Sequence, residues 1–402
     1  MTDYAVRIGK MAHVASELNK LTAGMGVSEG MTSFGVGSPA KEAYPLEKLQ
    51  EILQYILQKD TRAYEALQYG STIGNNDLRE VVRDQLLAAR GLTAKLENIM
   101  IIAGGIQAMG LFCQLFINPG DVILVESPTF VHAAMVFKTF EAECIPCQMD
   151  DDGLIIGELE EKIKRYKPKM IYTVPTFQNP TGVTLSRERR IQLAELASKY
   201  DVIVLEDDPY REIRYSGEEI EPIKAFDKTG NVVLANSFSK ILSPGVRLGY
   251  IVATEEIITK LKDIKLAADT CTNTISQVMC AEFFKRGYYP DHLEYLKNLY
   301  RSRRDAMLDA LAKYFPKGTK YTKPDGGYYV WAELPGGLNA TELMDEAVEK
   351  LNISWGLGSI FYVEGNGYGD NCMRLNFSGL TEETIYDGIE KLGKFFNSKL
   401  VK

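Results

Sequence analysis

Histidine, tryptophan and cysteine are scarce in this chain of 402 residues, which holds three, two and six of them. The histidines, His13, His132 and His292, fall in no metal-ligand spacing, which argues against a histidine-based metal site. The cysteines are Cys113, Cys144, Cys147, Cys271, Cys280 and Cys372. Cys144-Ile-Pro-Cys147 has redox spacing, but it lies in a strand-like stretch instead of at a helix start. No second pair completes a zinc site, so reduced core cysteines are expected. Positive charge shows no excess either: 46 Lys and Arg stand against 54 Asp and Glu, for a net charge of -8. Without a basic stripe, nucleic acid is excluded as an expected partner. No apolar run approaches the roughly 20 residues that span a bilayer. The opening residues, Met1 to Arg7, lack the charged-then-apolar pattern of a secretory signal, and a cytoplasmic protein is expected. There is no internal repeat and no low-complexity tract.

What is present is the balance of an ordinary globular protein, 45% apolar and 25% charged, and enough chain for two domains. Strand, loop and helix recur. Strands are expected over 98–102, 121–125, 143–146, 170–174, 202–205, 231–235 and 248–252. Helices are expected over 3–21, 45–58, 76–90, 106–117, 131–140, 158–166, 186–199, 254–268 and 276–286. That alternation implies an α/β fold with a doubly wound, mainly parallel sheet. A long helix near 290–313 leads to a smaller domain with strands at 327–333 and 373–377 and a helix at 341–351.

The chemistry gathers past the strand ends. Gly104-Gly105 turns a strand into a helix whose first N–H groups favour an anion. Phe130 follows a second strand. Asn179-Pro-Thr-Gly182 is a rigid turn after a third. Glu206-Asp207-Asp208-Pro209-Tyr210 follows a fourth. The fifth runs into Ser237-Phe-Ser239-Lys240, with Pro244-Gly245 and Arg247 beyond. Open α/β sheets bind ligands along this edge. A lysine among apolar residues and near a cation has a lowered pKa and an amine free to attack a carbonyl. The serines and arginine suit a phosphate. Together they suit a Schiff base to pyridoxal phosphate. Arg374, in the middle of an alternating strand, is costly unless paired, and its fork fits a carboxylate.

From Phe34 to Phe377 these motifs, in this order, resemble the fold-type I, aspartate-aminotransferase-like enzymes of class I and II. The nearest subgroup is that of the aminoadipate, kynurenine and aromatic aminotransferases. The resemblance implies a large cofactor domain, 46–289, and a smaller α+β domain from both termini, 1–45 and 290–402. It makes Lys240 the cofactor lysine and proton carrier, and Asp207 the partner of the ring nitrogen. Tyr210 and Asn179 hydrogen-bond the ring oxygen, and Phe130 stacks on the ring. Ser237, Ser239, Arg247, the turn at Gly104, Gly105 and Ile106, and Tyr69 of a partner subunit hold the phosphate. Gly37, Asn179 and Arg374 serve the substrate carboxylate. The implied activity is transfer of an amino group from an amino acid to a 2-oxo acid such as 2-oxoglutarate, by a homodimer with shared sites. A C–S β-lyase acting on cysteine conjugates would use the same site. A non-catalytic effector-binding module is disfavoured, because the 33 residues before Phe34 are too few for a helix-turn-helix domain. Arg7 is the sole arginine before Arg62, and its context does not match the subgroup's arginine for distal carboxylates. Trp355 and Tyr362 are expected to line an apolar pocket, which favours aromatic or large aliphatic substrates.

Overall fold

The computed structural model describes residues 30–59, 62–365 and 367–400. The helix expected over 3–21, with Arg7, lies outside them. Eight strands form the larger sheet: β1 (Ile99–Ile102), β2 (Val122–Ser127), β3 (Glu143–Asp150), β4 (Gly153–Leu154), β5 (Met170–Thr173), β6 (Ile203–Asp207), β7 (Val232–Ser237) and β8 (Gly249–Val252). Their order is β1-β8-β7-β6-β5-β2-β3-β4. From β7 through β6, β5 and β2 to β3 every pairing is parallel.

The central runs, β2 and β5 to β7, are mostly apolar because both faces are covered, while β3 carries exposed Glu143, Gln148 and Asp150. Successive residues enter different cores: Ile123 and Val125 of β2 join one buried cluster while Leu124 joins the other, and Met170 and Tyr172 of β5 likewise flank Ile171. Helices fill the two layers. Helix Ile156–Tyr166, for example, buries Leu159 and Ile163, which are four apart and share a face.

The strand expected over 248–252 runs opposite to its neighbours, pairing antiparallel with both β7 and β1. Residues 238–248 alone connect β7 to β8. That is too short for the crossover of a dozen or more residues that a parallel return needs. The turn that carries Lys240 is therefore a direct reversal at the sheet's edge.

The helix expected over 76–90 is α-helical to Val81, then a wider π turn to Leu87, then a 3₁₀ turn to Arg90. Asn75 caps it, its Oδ1 accepting from the Leu78 N–H at 3.1 Å. Two helices had no counterpart in the sequence reading, Ala63–Leu67 and Glu382–Leu400.

A second sheet has four antiparallel strands, β9 (Lys320–Tyr321), β10 (Tyr329–Glu333), β11 (Gly356–Leu357) and β12 (Cys372–Asn376), in the order β9-β10-β12-β11. Helix Tyr289–Tyr314 ties this region to the rest. Arg301 Nε donates to Tyr215 O at 3.1 Å, and Arg303 Nη1 to Ser378 O at 2.5 Å.

All six cysteines are free. Burial pushes the Cys144 thiol up to about 11 and the Cys147 thiol up to about 12, which suits core packing and not redox work. Among the described residues no helix is long and apolar enough to cross a membrane.

Candidate active site

The ends of β1, β2, β5, β6 and β7 open into one cavity of about 550 Å³. Its lining brings together Gly37, Gly105, Ile106, Phe130, Asn179, Asp207, Tyr210, Ser237, Ser239, Lys240, Arg247 and Arg374. Gly104 stands just behind. Its φ is +85°, and a Cβ there would lie 2.5 Å from Arg247 Nη2, so only glycine fits. Tyr69 is not brought in; it is 83% exposed on the outside of the chain.

Asp207 ends β6 deep in this cavity. Tyr172 Oη donates to its Oδ2 at 2.8 Å, and Oδ1 has no protein partner among the described residues. Burial, with Asp208 beside it, pushes the Asp207 carboxyl up to about 7. Its ionised form therefore needs a cationic partner inside the cavity.

Lys240 follows β7 by three residues, in the reversal described above. Its Nζ donates to Gly37 O at 3.2 Å and lies 5.1 Å from the Tyr328 ring centroid and 5.5 Å from that of Tyr210. Desolvation, reinforced by the positive charge of Arg374, lowers its pKa. No carboxylate among the described residues pairs with it.

An anion cradle sits beside the amine. Ser237 Oγ donates to Ser239 Oγ at 2.8 Å. Arg247 Nη2 donates to Ala103 O at 3.1 Å, which holds the guanidinium against the glycine turn. Gln107 Oε1 accepts from the Ala103 N–H at 2.7 Å and braces the same turn from the helix side. The N–H groups of Gly105 and Ile106 have no acceptor among the described residues and are free for an anion, while the Gln107 N–H donates to Gly104 O at 3.1 Å.

Arg374, on β12, lies opposite Trp331 and Gly356 and is buried. Its Nη1 donates to Asn179 Oδ1 at 2.8 Å and its Nη2 to Gly35 O at 2.6 Å. Its Nε is buried without a partner, and no described acid pairs with the group. Such a cation is set for an incoming carboxylate. Glu126, at the end of β2, fixes the loop that carries Asn179. It accepts from Thr173 Oγ1 at 2.5 Å, Val174 N–H at 3.1 Å and Gln178 Nε2 at 3.0 Å.

Several residues of the site escaped the sequence reading, Val36, Met109 and His132 among them. Tyr172 is the one aromatic residue in the strand Met170–Thr173, which was a usable signal. Tyr329, Ile360 and Phe361 also line the cavity, placed there by the second sheet and the turn after β11. The expectation for Trp355 and Tyr362 is corrected. Trp355 is fully buried against Phe396, ring centroids 5.5 Å apart, and Tyr362 packs on Trp331 and Tyr368. Neither reaches the cavity, because the chain turns at 358–361 and presents Ile360 and Phe361 instead.

The family model described as aminotransferase class I and II matches residues 29–392. The chain belongs to the class I and II aminotransferases. It is similar to aromatic-amino-acid aminotransferase 1 of Thermococcus litoralis, 41% identical over 96% of this chain and 93% of that protein. It is also similar in structure to a Pyrococcus horikoshii kynurenine aminotransferase, with TM-score 0.89 and 40% identity over 96% and 94% of the two chains. An α-aminoadipate aminotransferase of Thermus thermophilus gives TM-score 0.88 and 32% identity over 99% and 98%. The first of these structures is in complex with PMP and the second with N-(5'-phosphopyridoxyl)-L-leucine.

The aminotransferase depends on pyridoxal phosphate and moves an amino group between an amino acid and a 2-oxo acid. The cavity fits that cofactor. The cradle of glycine turn, serines and guanidinium has the donors a phosphate needs. Asp207 is a carboxylate short of a cation, as a protonated pyridine nitrogen requires. Lys240 is an amine kept from an acid partner, as a carbonyl requires.

Proposed function

We propose that this aminotransferase takes aromatic or large aliphatic amino acids as donors and passes the amino group to a 2-oxo acid such as 2-oxoglutarate. The observation that carries the donor class is the apolar wall of the cavity that the cofactor does not take: Val36, Met109, Ile360 and Phe361. His132 adds no charge to it at neutral pH, since burial and Arg374 lower its pKa.

Pyridoxal phosphate, when bound, supplies the electron sink for the bond broken at the substrate Cα. The chain does the rest. Lys240 carries the cofactor through Nζ. With cofactor and substrate bound, the Lys240 Nζ would hold and return the proton taken from the substrate Cα, a task its lowered pKa favours. Asp207, oriented by Tyr172, keeps the ring nitrogen protonated. Tyr210 and Asn179 would hydrogen-bond the ring oxygen, and Phe130 would cover one ring face. Gly105, Ile106, Ser237, Ser239 and Arg247 hold the phosphate. Arg374 and Asn179 orient the substrate carboxylate, with Gly37 giving the backbone room to approach.

Two further parts belong to this proposal. Residues 46–289 act as the cofactor unit, and residues 1–45 with 290–402 as the unit that closes over substrate and excludes water. The enzyme works as a cytoplasmic homodimer, and Tyr69 reaches the phosphate of the partner subunit's cofactor. The exposed side chains of Tyr64, Leu67 and Tyr69 along one stretch support an interface there, and the six free cysteines suit a reducing compartment.

A panel of amino acids mixed with cofactor-loaded enzyme tests the donor class. Phenylalanine, tyrosine and leucine are expected to bleach the visible band and raise the pyridoxamine band, and 2-oxoglutarate to reverse it. A response confined to acidic donors contradicts the proposal. Ammonia release from cysteine conjugates in place of pyridoxamine formation would favour a lyase.

A further inference from the structure

Tyr329 opens β10 and Tyr328 immediately precedes it, and both rings meet Tyr210, at 5.7 Å for Tyr328 and 5.9 Å for Tyr329. Tyr328 packs into the core, 4.8 Å from the Tyr300 ring. Tyr329 turns into the cavity, where it is 3% exposed. A phenylalanine would fill the same space, so the buried hydroxyl needs an explanation: it costs free energy unless bonded. Among the described residues its hydrogen-bond partner is Tyr210, whose Oη donates to Tyr329 Oη at 3.3 Å.

The surroundings fix that hydroxyl. The guanidinium of Arg374 lies 4.3 Å from the Tyr329 ring centroid. Gly37 leaves no room beyond it, since a Cβ there would fall 1.9 Å from Tyr329 Oη. Held between Arg374, Gly37 and Tyr210, the hydroxyl has little freedom to turn elsewhere.

We infer that Tyr329 is a positioning residue for Tyr210: its hydroxyl orients the Tyr210 hydroxyl and, with cofactor bound, donates to it, strengthening the bond that Tyr210 gives the ring oxygen. This rests on the placement of Tyr210 against the cofactor proposed above. Chains of hydrogen bonds polarise one another at low dielectric, so the second hydroxyl strengthens the first.

The charged and titratable groups around the pair agree. Arg374 faces it from β12, Lys240 from the turn after β7, Tyr328 from the position just before β10, and Asp207 from the end of β6. Burial works to raise the Tyr329 phenol, but Arg374 and Lys240 outweigh it and the net direction is down. Burial and the neighbouring Tyr329 raise Tyr210 well above an ordinary phenol, so Tyr210 stays protonated and able to donate.

The test uses cofactor-loaded protein without substrate, following the visible band against pH. Tyr210→Phe is expected to raise the midpoint most. Tyr329→Phe is expected to raise it by about half a unit to one unit, the size of one lost neutral hydrogen bond. The double variant is expected to match Tyr210→Phe alone, because the two act through one bond. An unchanged midpoint in Tyr329→Phe, or shifts that add in full, overturns the inference while leaving the cofactor placement intact. No shift in Tyr210→Phe overturns the placement and the inference together.

Discussion

Arg374 Nη1 donates a 2.8 Å hydrogen bond to Asn179 Oδ1 across 195 positions of sequence. The bond joins β12 of the small sheet to the loop after β5 of the large one, at the cavity. Two residues proposed for one carboxylate are thus already in contact.

Arg374→Ala is expected to raise KM for every amino-acid donor by roughly 100-fold, the loss of a paired charge-assisted contact worth about 2–3 kcal/mol. Steady-state kinetics over several donors checks it. An increase limited to one donor class would place Arg374 at the side chain and not at the shared carboxylate.

Asp207 makes the cofactor-free protein sensitive to pH. Its pKa is raised on folding from 3.8 to about 7. Folding therefore takes up a proton, and the stability present below about pH 4 is lost as pH climbs to about 7. Glu126 and Glu206, also pushed up to about 7 by burial, act in the same direction. Asp207→Asn removes one of the three and keeps an acceptor for Tyr172. Without cofactor, it is expected to be more stable than the parent at pH 8 by an amount on the order of 2 kcal/mol, with the gain shrinking towards pH 4.5. With cofactor the order reverses. Urea unfolding at both pH values decides it; a gain independent of pH contradicts the assignment.

Gly104→Ala should weaken the cradle. Its Cβ would meet Arg247 Nη2 at 2.5 Å, and its φ of +85° is strained for alanine. Cofactor affinity is expected to fall by about ten- to a hundredfold, the loss of one or two contacts to a charged phosphate. Titration of stripped protein with pyridoxal phosphate measures this, and an unchanged Kd would remove Arg247 and the turn from the phosphate site.

Tyr69 offers a test by mixing subunits. Tyr69→Phe and Lys240→Ala are each expected to lower activity, Lys240→Ala to the background. Refolding the two together should restore part of it, since a hybrid dimer holds one site with both native residues. Recovery no greater than the sum of the parents would mean that Tyr69 serves no partner's site.

Much of this arrangement was legible in the sequence for a physical reason. A parallel sheet covered on both faces needs largely apolar strands, and the residues at or just past their ends, Gly104, Phe130, Asn179, Asp207 and Lys240, must lie near one edge. What could not be read depended on contacts distant in sequence. Tyr172 reaches Asp207 from the neighbouring strand. Tyr329 and Phe361 enter the cavity through the way the second sheet seats on the first. Trp355 was misplaced because an aromatic near a site and an aromatic in a core look alike in sequence; packing against Phe396 decided between them. The reversed direction of β8 follows from loop length and could have been deduced. So could helix Glu382–Leu400, whose Ile385, Ile389, Leu392 and Phe396 share one buried face.

Two lysines lie deep in the chain with opposite settings. Lys265 is fully buried and paired with Asp269 at 2.6 Å, while Lys240 meets the cavity with no acid beside it. Borohydride reduction of the cofactor-loaded enzyme, followed by peptide mass mapping, fixes the cofactor wherever it is attached. The label is expected on Lys240 and on no other lysine; a label elsewhere, or a visible band that survives Lys240→Ala, would contradict the assignment of that amine.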